Sequence, residues 1–167
     1  MKVLKLLAVP LCFFVAACEI IEPMPALTPL EIQNMQTRDY EYRKDIVFPS
    51  VMSVFQDLGY TVASADNDTG FITAESASSS TSNSFLLEMA KVSKTKDTVL
   101  TTSQTKATAF IEEVGSITKV RLNFVNTMKK SYAHGQSDQQ DTPVLNATIY
   151  QNAFERIESA IFVRSSN

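Results

Sequence analysis

The sequence predicts an α+β domain: an antiparallel β-sheet with two main helices packed on one of its faces, in the order β-α-β-β-β-β-α. Three observations lead there. Apolar residues recur at helical spacing in two stretches, residues 46–58 and 145–161. Residues 117–125 alternate at the period of a half-buried strand. Two turn signals, Asp66-Asn67-Asp68-Thr69-Gly70 and Gly115-Ser116, each sit between β-capable runs and read as hairpins.

Taken in order, Thr28-Pro29-Leu30-Glu31 offers a capping residue, proline at N1 and glutamate at N3, which predicts a short helix to about Met35. Thr37 to Tyr42 reads as a strand with aromatics at 40 and 42. The row Val47, Val51, Val54 and Leu58, with Phe48, Met52 and Phe55 beside it, predicts the first long helix. Pro49 is expected in its first turn and Gly59 at the C′ position that ends it. Tyr60–Ala65 and Phe71–Ala74 make the first hairpin, and residues 76–84 read as a Ser-rich loop. Asn83 could cap a short helix through Phe85, Leu86, Met89 and Ala90, with a strand as the alternative. Thr98–Ile111 and Ile117–Val125 make the second hairpin. Residues 129–141 are polar and read as a surface loop. Thr142-Pro143 is expected to open the last helix, with Leu145, Ile149, Ala153, Ile157 and Ile161 on its apolar row and Tyr150 and Phe154 widening it.

The first seventeen residues concern address rather than fold. Met1 to Lys5 is a short basic segment and Leu6–Phe14 an uncharged apolar run, too short to span a bilayer but suited to a secretory signal. Val15-Ala16-Ala17-Cys18 then resembles the lipobox of bacterial lipoproteins. That resemblance implies a signal peptide over 1–17, cleavage before Cys18, and a lipid anchor on Cys18, diacylglyceryl at sulfur and acyl (palmitate) at the new amino terminus. Two or more chains hold a protein at a membrane where one does not. Glu19 follows the cysteine instead of the aspartate of inner-membrane retention, so the outer membrane, facing the periplasm, is the expected destination rather than the inner membrane. Residues 18–36, with Pro23 and Pro25, read as a lipidated tether that includes the short helix, and 37–167 as a single periplasmic domain.

Removal of residues 1–17 takes away Lys2, Lys5 and Cys12 and moves the formal net charge from −3 to −5. With Cys18 acylated, neither a disulfide nor a thiol nucleophile remains. The acidic balance argues against nucleic acid as a partner.

On element order, the domain resembles the helix-grip or TBP-like modules of envelope lipoproteins such as the BamC component of the outer-membrane assembly complex. It is also similar to a group of small proteobacterial outer-membrane lipoproteins. The shared features are Thr37-Arg38-x-Tyr40, the helix end Asp57 to Tyr60, Arg121-Leu122-Asn123-Phe124-Val125, and Tyr150, Phe154, Ile157 and Ala160-Ile161-Phe162 in the last helix. The likeness implies a common architecture and brings no catalytic set with it.

Little in the chain suggests chemistry. His134 is the sole histidine and stands in the polar segment, without a nucleophile-elbow serine anywhere. Zinc would need three protein ligands. Asp66-x-Asp68-x-Gly70 opens like a calcium loop but lacks the later ligands at the required spacing, so a turn is expected. Glu112-Glu113 are adjacent on a strand end and should point oppositely, against a glycosidase pair. Asn67 and Asn146 stand in sequons that carry no weight in a bacterial lipoprotein. Lys119, Arg121, Lys129 and Lys130 gather around one strand and could meet an anionic partner or form one solvated face.

The sequence thus points to a non-enzymatic binding or accessory module of the envelope, without metal or cofactor. It would be held to the membrane through Cys18 and join an envelope protein partner in an assembly, secretion or efflux complex. Residues 76–84 and 129–141 are the candidate contact surfaces. A carrier of lipid or a small hydrophobic ligand is the alternative, and a cell-wall hydrolase ranks third.

Overall fold

A computed structural model describes residues 27–81, 100–132 and 136–166. The leader, Cys18, the tether to residue 26, the proposed helix at 83–90 and His134 lie outside the described residues. The elements are α1 (Pro29–Gln36), β1 (Thr37–Tyr40), α2 (Lys44–Asp57), β2 (Tyr60–Asp66), β3 (Phe71–Ser76), β4 (Ser79–Thr81), β5 (Leu100–Val114), β6 (Ile117–Ser131), β7 (Ser137–Pro143) and α3 (Ala147–Ser165).

All seven strands join one open antiparallel sheet, so the α+β expectation holds. Its main order is β1-β6-β5-β3-β2, with β4 added to β5 and β7 added to β6. The two central strands are 15 residues each, about 50 Å when extended. Gly115-Ser116 joins them as a two-residue hairpin, with Val114 paired to Ile117 and Gly115 at φ +67°. In the other hairpin, Asp66 pairs with Phe71 and its side chain accepts the amides of Asp68 at 2.9 Å and Thr69 at 3.4 Å.

The core lies on one face of the lower sheet. Tyr40, Ile72, Ala74, Ala107, Ala109, Ile111, Val120, Leu122 and Phe124 meet Val47, Val51, Val54 and Phe55 of α2 and Tyr150, Ala153, Phe154, Ile157 and Ile161 of α3. Phe124 is its aromatic hub, with ring centroids at 5.2 Å from Tyr150, 6.2 Å from Tyr60 and 6.4 Å from Phe55.

Several boundaries depart from expectation. Helix α2 begins two residues earlier than the apolar row, at Lys44, which puts Pro49 in its second turn instead of the first. Arg43 at the N-cap makes no side-chain cap, and Glu113 from the end of β5 supplies one, accepting the Lys44 amide at 3.2 Å. The last helix starts at Ala147, where the Asn146 side chain accepts the Thr148 amide at 3.0 Å. Pro143 therefore ends β7 and does not open α3, and Leu145 and Ile149 are exposed instead of buried. The apolar row survives from Tyr150 onward.

The largest departure concerns the two segments expected to be loops. Residues 79–81 form β4, and residues 129–131 and 137–143 complete β6 and form β7. No described helix covers these strands, so their sequences lack the apolar alternation by which a strand is recognised. Hydrogen bonding to the long central strands sets their conformation.

Candidate functional site

Beyond Lys106 on β5 and Phe124 on β6 the sheet changes its composition and its neighbours. Below that level β5 pairs with β3 and β6 with β1, whereas above it β4 pairs at Ser79–Ser103 through Thr81–Thr101 and β7 pairs from Pro143–Val125 to Ser137–Ser131. The upper part is thus a four-stranded extension in the order β4-β5-β6-β7. Its central strands carry Thr101, Thr102, Ser103, Gln104 and Thr105 beside Asn126, Thr127, Met128, Lys129 and Lys130, which are half-buried or exposed. Threonine suits extended backbone even without a core to fill.

The joint between body and extension is built with care. Between the start of β1 and the end of β7, residues 122–124 of β6 have no neighbouring strand on that side. The Phe124 amide donates to the Tyr150 hydroxyl at 3.3 Å and its carbonyl accepts the Val144 amide at 2.9 Å. Gln36, the buried last residue of α1, donates to the same hydroxyl and to Asn123 Oδ1, both at 3.4 Å. Helix α1, β6 and α3 meet there, and the buried backbone groups find partners. Sequence reading missed this role of Tyr150 and Gln36; a hydroxyl-bearing tyrosine on an otherwise apolar helix face was the available signal.

Edges of the extension are guarded unequally. β7 carries Asp138, Asp141 and Pro143, which discourage strand addition, and β4 is only three residues long. The Thr127 hydroxyl, followed by the Gln139 amide, holds the Asp141 carboxyl below the usual carboxylate range.

Of the other residues singled out from sequence, Glu112, Lys119 and Arg121 line one groove and the rest lie apart from it. Lys119, Arg121 and Lys129 alternate onto the sheet face opposite the helices, and Lys130 turns to the helix side. Lys119 pairs with Asp39 at 3.6 Å. Glu112 stands opposite Lys119 on the outer face while Glu113 caps α2, so the two carboxylates diverge as expected for neighbours on a strand. Asp66 is engaged by its own turn: the Thr69 hydroxyl and the amides of Thr69 and Asp68 lower its pKa. Asn67 lies in that turn and Asn146 caps α3. Among the described residues no group of three or more His, Cys, Asp or Glu side chains could hold a metal ion, and no helix is long and apolar enough to cross a membrane.

A notch of about 350 Å³ opens between the sheet and α3, lined by Leu58, Tyr60, Phe124, Thr148, Ile149, Asn152 and Ala153. It is open to solvent and floored by the aromatic hub. Burial raises the pKa of the Tyr60 hydroxyl beside it. Beneath the floor the core is filled by side chains, with Phe55, Ile72, Ile111 and Leu122 fully buried.

No protein-family model and no curated protein matches this chain.

Proposed function

We propose that the protein is a lipid-anchored envelope module that binds a protein partner through the four-stranded extension. In this reading Cys18 carries the acyl anchor, the module faces the periplasm from the outer membrane, and it performs no chemistry of its own. Tethering confines it near the membrane and raises its effective concentration toward partners there.

One observation carries the docking surface: residues 79–81 and 137–141, from the two segments nominated by sequence, flank the same pair of long strands. Among the described residues no helix packs on the extension, which leaves both its faces and the β4 edge open to a partner there. The anchor is supported by the leader sequence alone. A carrier is less well supported, because the notch beside α3 is shallow and the space between sheet and helices is packed.

Two measurements test this proposal. Radiolabelled palmitate should mark the wild-type product and not Cys18→Ser, and an unmodified cysteine by mass spectrometry would remove the anchor. Photo-crosslinkers at Thr102, Lys129 and Gln139 should capture one envelope protein that a crosslinker at Glu155 of α3 does not. Equal capture from both sets of positions would remove the extension as the docking surface.

A further inference from the structure

The sheet face opposite the helices carries a feature unrelated to the extension. Register across four strands places Phe71, Phe110, Arg121 and Thr37 in one row, with β3, β5, β6 and β1 each contributing one residue. The two phenylalanine rings lie 4.7 Å apart and tilted by 38°, and Phe71 is 54% exposed. Arg121, exposed beside them, differs from the other cations of this part of the face. Lys119 has Asp39 at 3.6 Å and Lys106 has Glu75 at 3.7 Å, whereas no carboxylate lies within ion-pair distance of Arg121 among the described residues.

Two shallow grooves of about 460 and 390 Å³ flank this row and share Phe110 and Arg121 as their common wall. Thr108 and Asn123 line the second, beside Phe71. The floor therefore offers a tilted pair of aromatic rings, neutral hydroxyl and amide groups, and one arginine on the strand next to the nearer ring.

We propose that this row binds an acidic glycan: a sugar ring rests its C–H face on Phe71 and Phe110, and a carboxylate carried on a substituent of that glycan is held by Arg121. Three features favour that ligand class. Strands β3, β5 and β6 are paired on both sides at this level, so no backbone edge is free and a peptide cannot bind here by strand addition. Around the row Asp39 and Glu112 stand against Arg38, Lys119 and Arg121, an excess of one positive charge, so the site suits one placed carboxylate and not a polyanionic surface. Guanidinium presents its donors in a planar fork that matches a carboxylate. Given the envelope location proposed above, on which the choice of source rests, the glycan is the cell wall, whose amino sugars bear lactyl-linked peptides with free carboxylates.

The experiment is co-sedimentation of the full mature chain in detergent with purified peptidoglycan sacculi, with amidated sacculi whose carboxyl groups are blocked, and with lipopolysaccharide as the other acidic glycan. Wild type should bind intact sacculi, and amidation should weaken binding by about tenfold, the expected worth of a charge-assisted pair. Arg121→Gln should weaken it equally, Phe71→Leu, which keeps apolar bulk and removes the ring, should weaken it several-fold, and Lys106→Gln should leave it unchanged. Circular dichroism of each variant establishes that it is folded. Retention of wild-type affinity in Arg121→Gln, indifference to amidation, or no sedimentation at all overturns the proposal; binding to lipopolysaccharide alone overturns the assigned source. Because sedimentation does not depend on acylation, failure of the lipid anchor is read separately, from the palmitate label.

Discussion

The same two strands, β5 and β6, run through both halves of this molecule and behave differently in each. In the body, residues 107–111 and 118–124 alternate buried and less buried, and the inward apolar side chains join the core shared with α2 and α3. In the extension the ladder continues unbroken from Lys106–Val125 to Leu100–Ser131, yet no fully buried side chain remains. Backbone hydrogen bonds are equally regular in the two halves. They differ in apolar burial, and that is the term that resists unfolding.

If that contrast is right, the largest effects belong to the body. Phe124→Ala removes the hub that touches Phe55, Tyr60 and Tyr150 and should cost about 3–5 kcal/mol in chemical denaturation. Gly70→Ala comes next. Gly70 sits at φ +78° with its carbonyl accepting the Ile111 amide, and a Cβ there would overlap the Ile111 carbonyl, so a loss of about 2 kcal/mol or more is expected. A loss below about 0.5 kcal/mol would show that the β2–β3 turn is not held against β5 as described.

Tyr150→Phe probes the joint itself. It strips the acceptor from the buried Phe124 amide and should cost about 1–3 kcal/mol, with faster hydrogen exchange at that amide before global unfolding. In the extension, Thr102→Ala and Lys129→Ala should each stay within about 0.5 kcal/mol. Amides at 101–105 and 127–131 should exchange well before those at 107–111 and 120–124. Uniform protection along both strands would erase the distinction between the two halves.

Acid gives the smallest effect and appears in both halves. The carboxyls of Asp66 and Asp141 have folded pKa values below their ordinary ones, so their stabilisation is complete above the unfolded pKa and is lost as pH falls through the folded value. The melting temperature should therefore decline below about pH 4, and the decline should be shallower in Asp66→Asn and Asp141→Asn. The Tyr40 hydroxyl moves the other way: burial raises its pKa, and it donates to the Phe154 carbonyl at 3.2 Å, so it stays protonated across this range.

Much of the body was legible because its constraints are local or periodic. Gly59 at φ +84° ends α2, Gly115 at φ +67° turns the long hairpin, and the Thr28–Glu31 pair forms a full capping box. Apolar rows gave both main helices and the inward face of β6. Pro49 was misplaced because the first turn of α2 is held by Glu113, which is distant in sequence. The start of α3 was misplaced because Leu145 and Ile149 continue an apolar row that the fold leaves exposed. For the candidate sites, Arg121 and Lys119 were visible as a basic pair, but the row with Phe71 and Phe110 depends on the register of four strands and could not be read along the chain.

The sequence by itself determined the α+β class, the two hairpins and the faces that turn inward, because burial imposes a period of 3.6 or 2 on whatever it covers. Tertiary structure alone decided that the polar stretches at 79–81 and 137–143 become strands and that Phe71, Phe110 and Arg121 share one face. Where both faces of a strand are polar, composition carries no period, and only pairing with a neighbour fixes the chain.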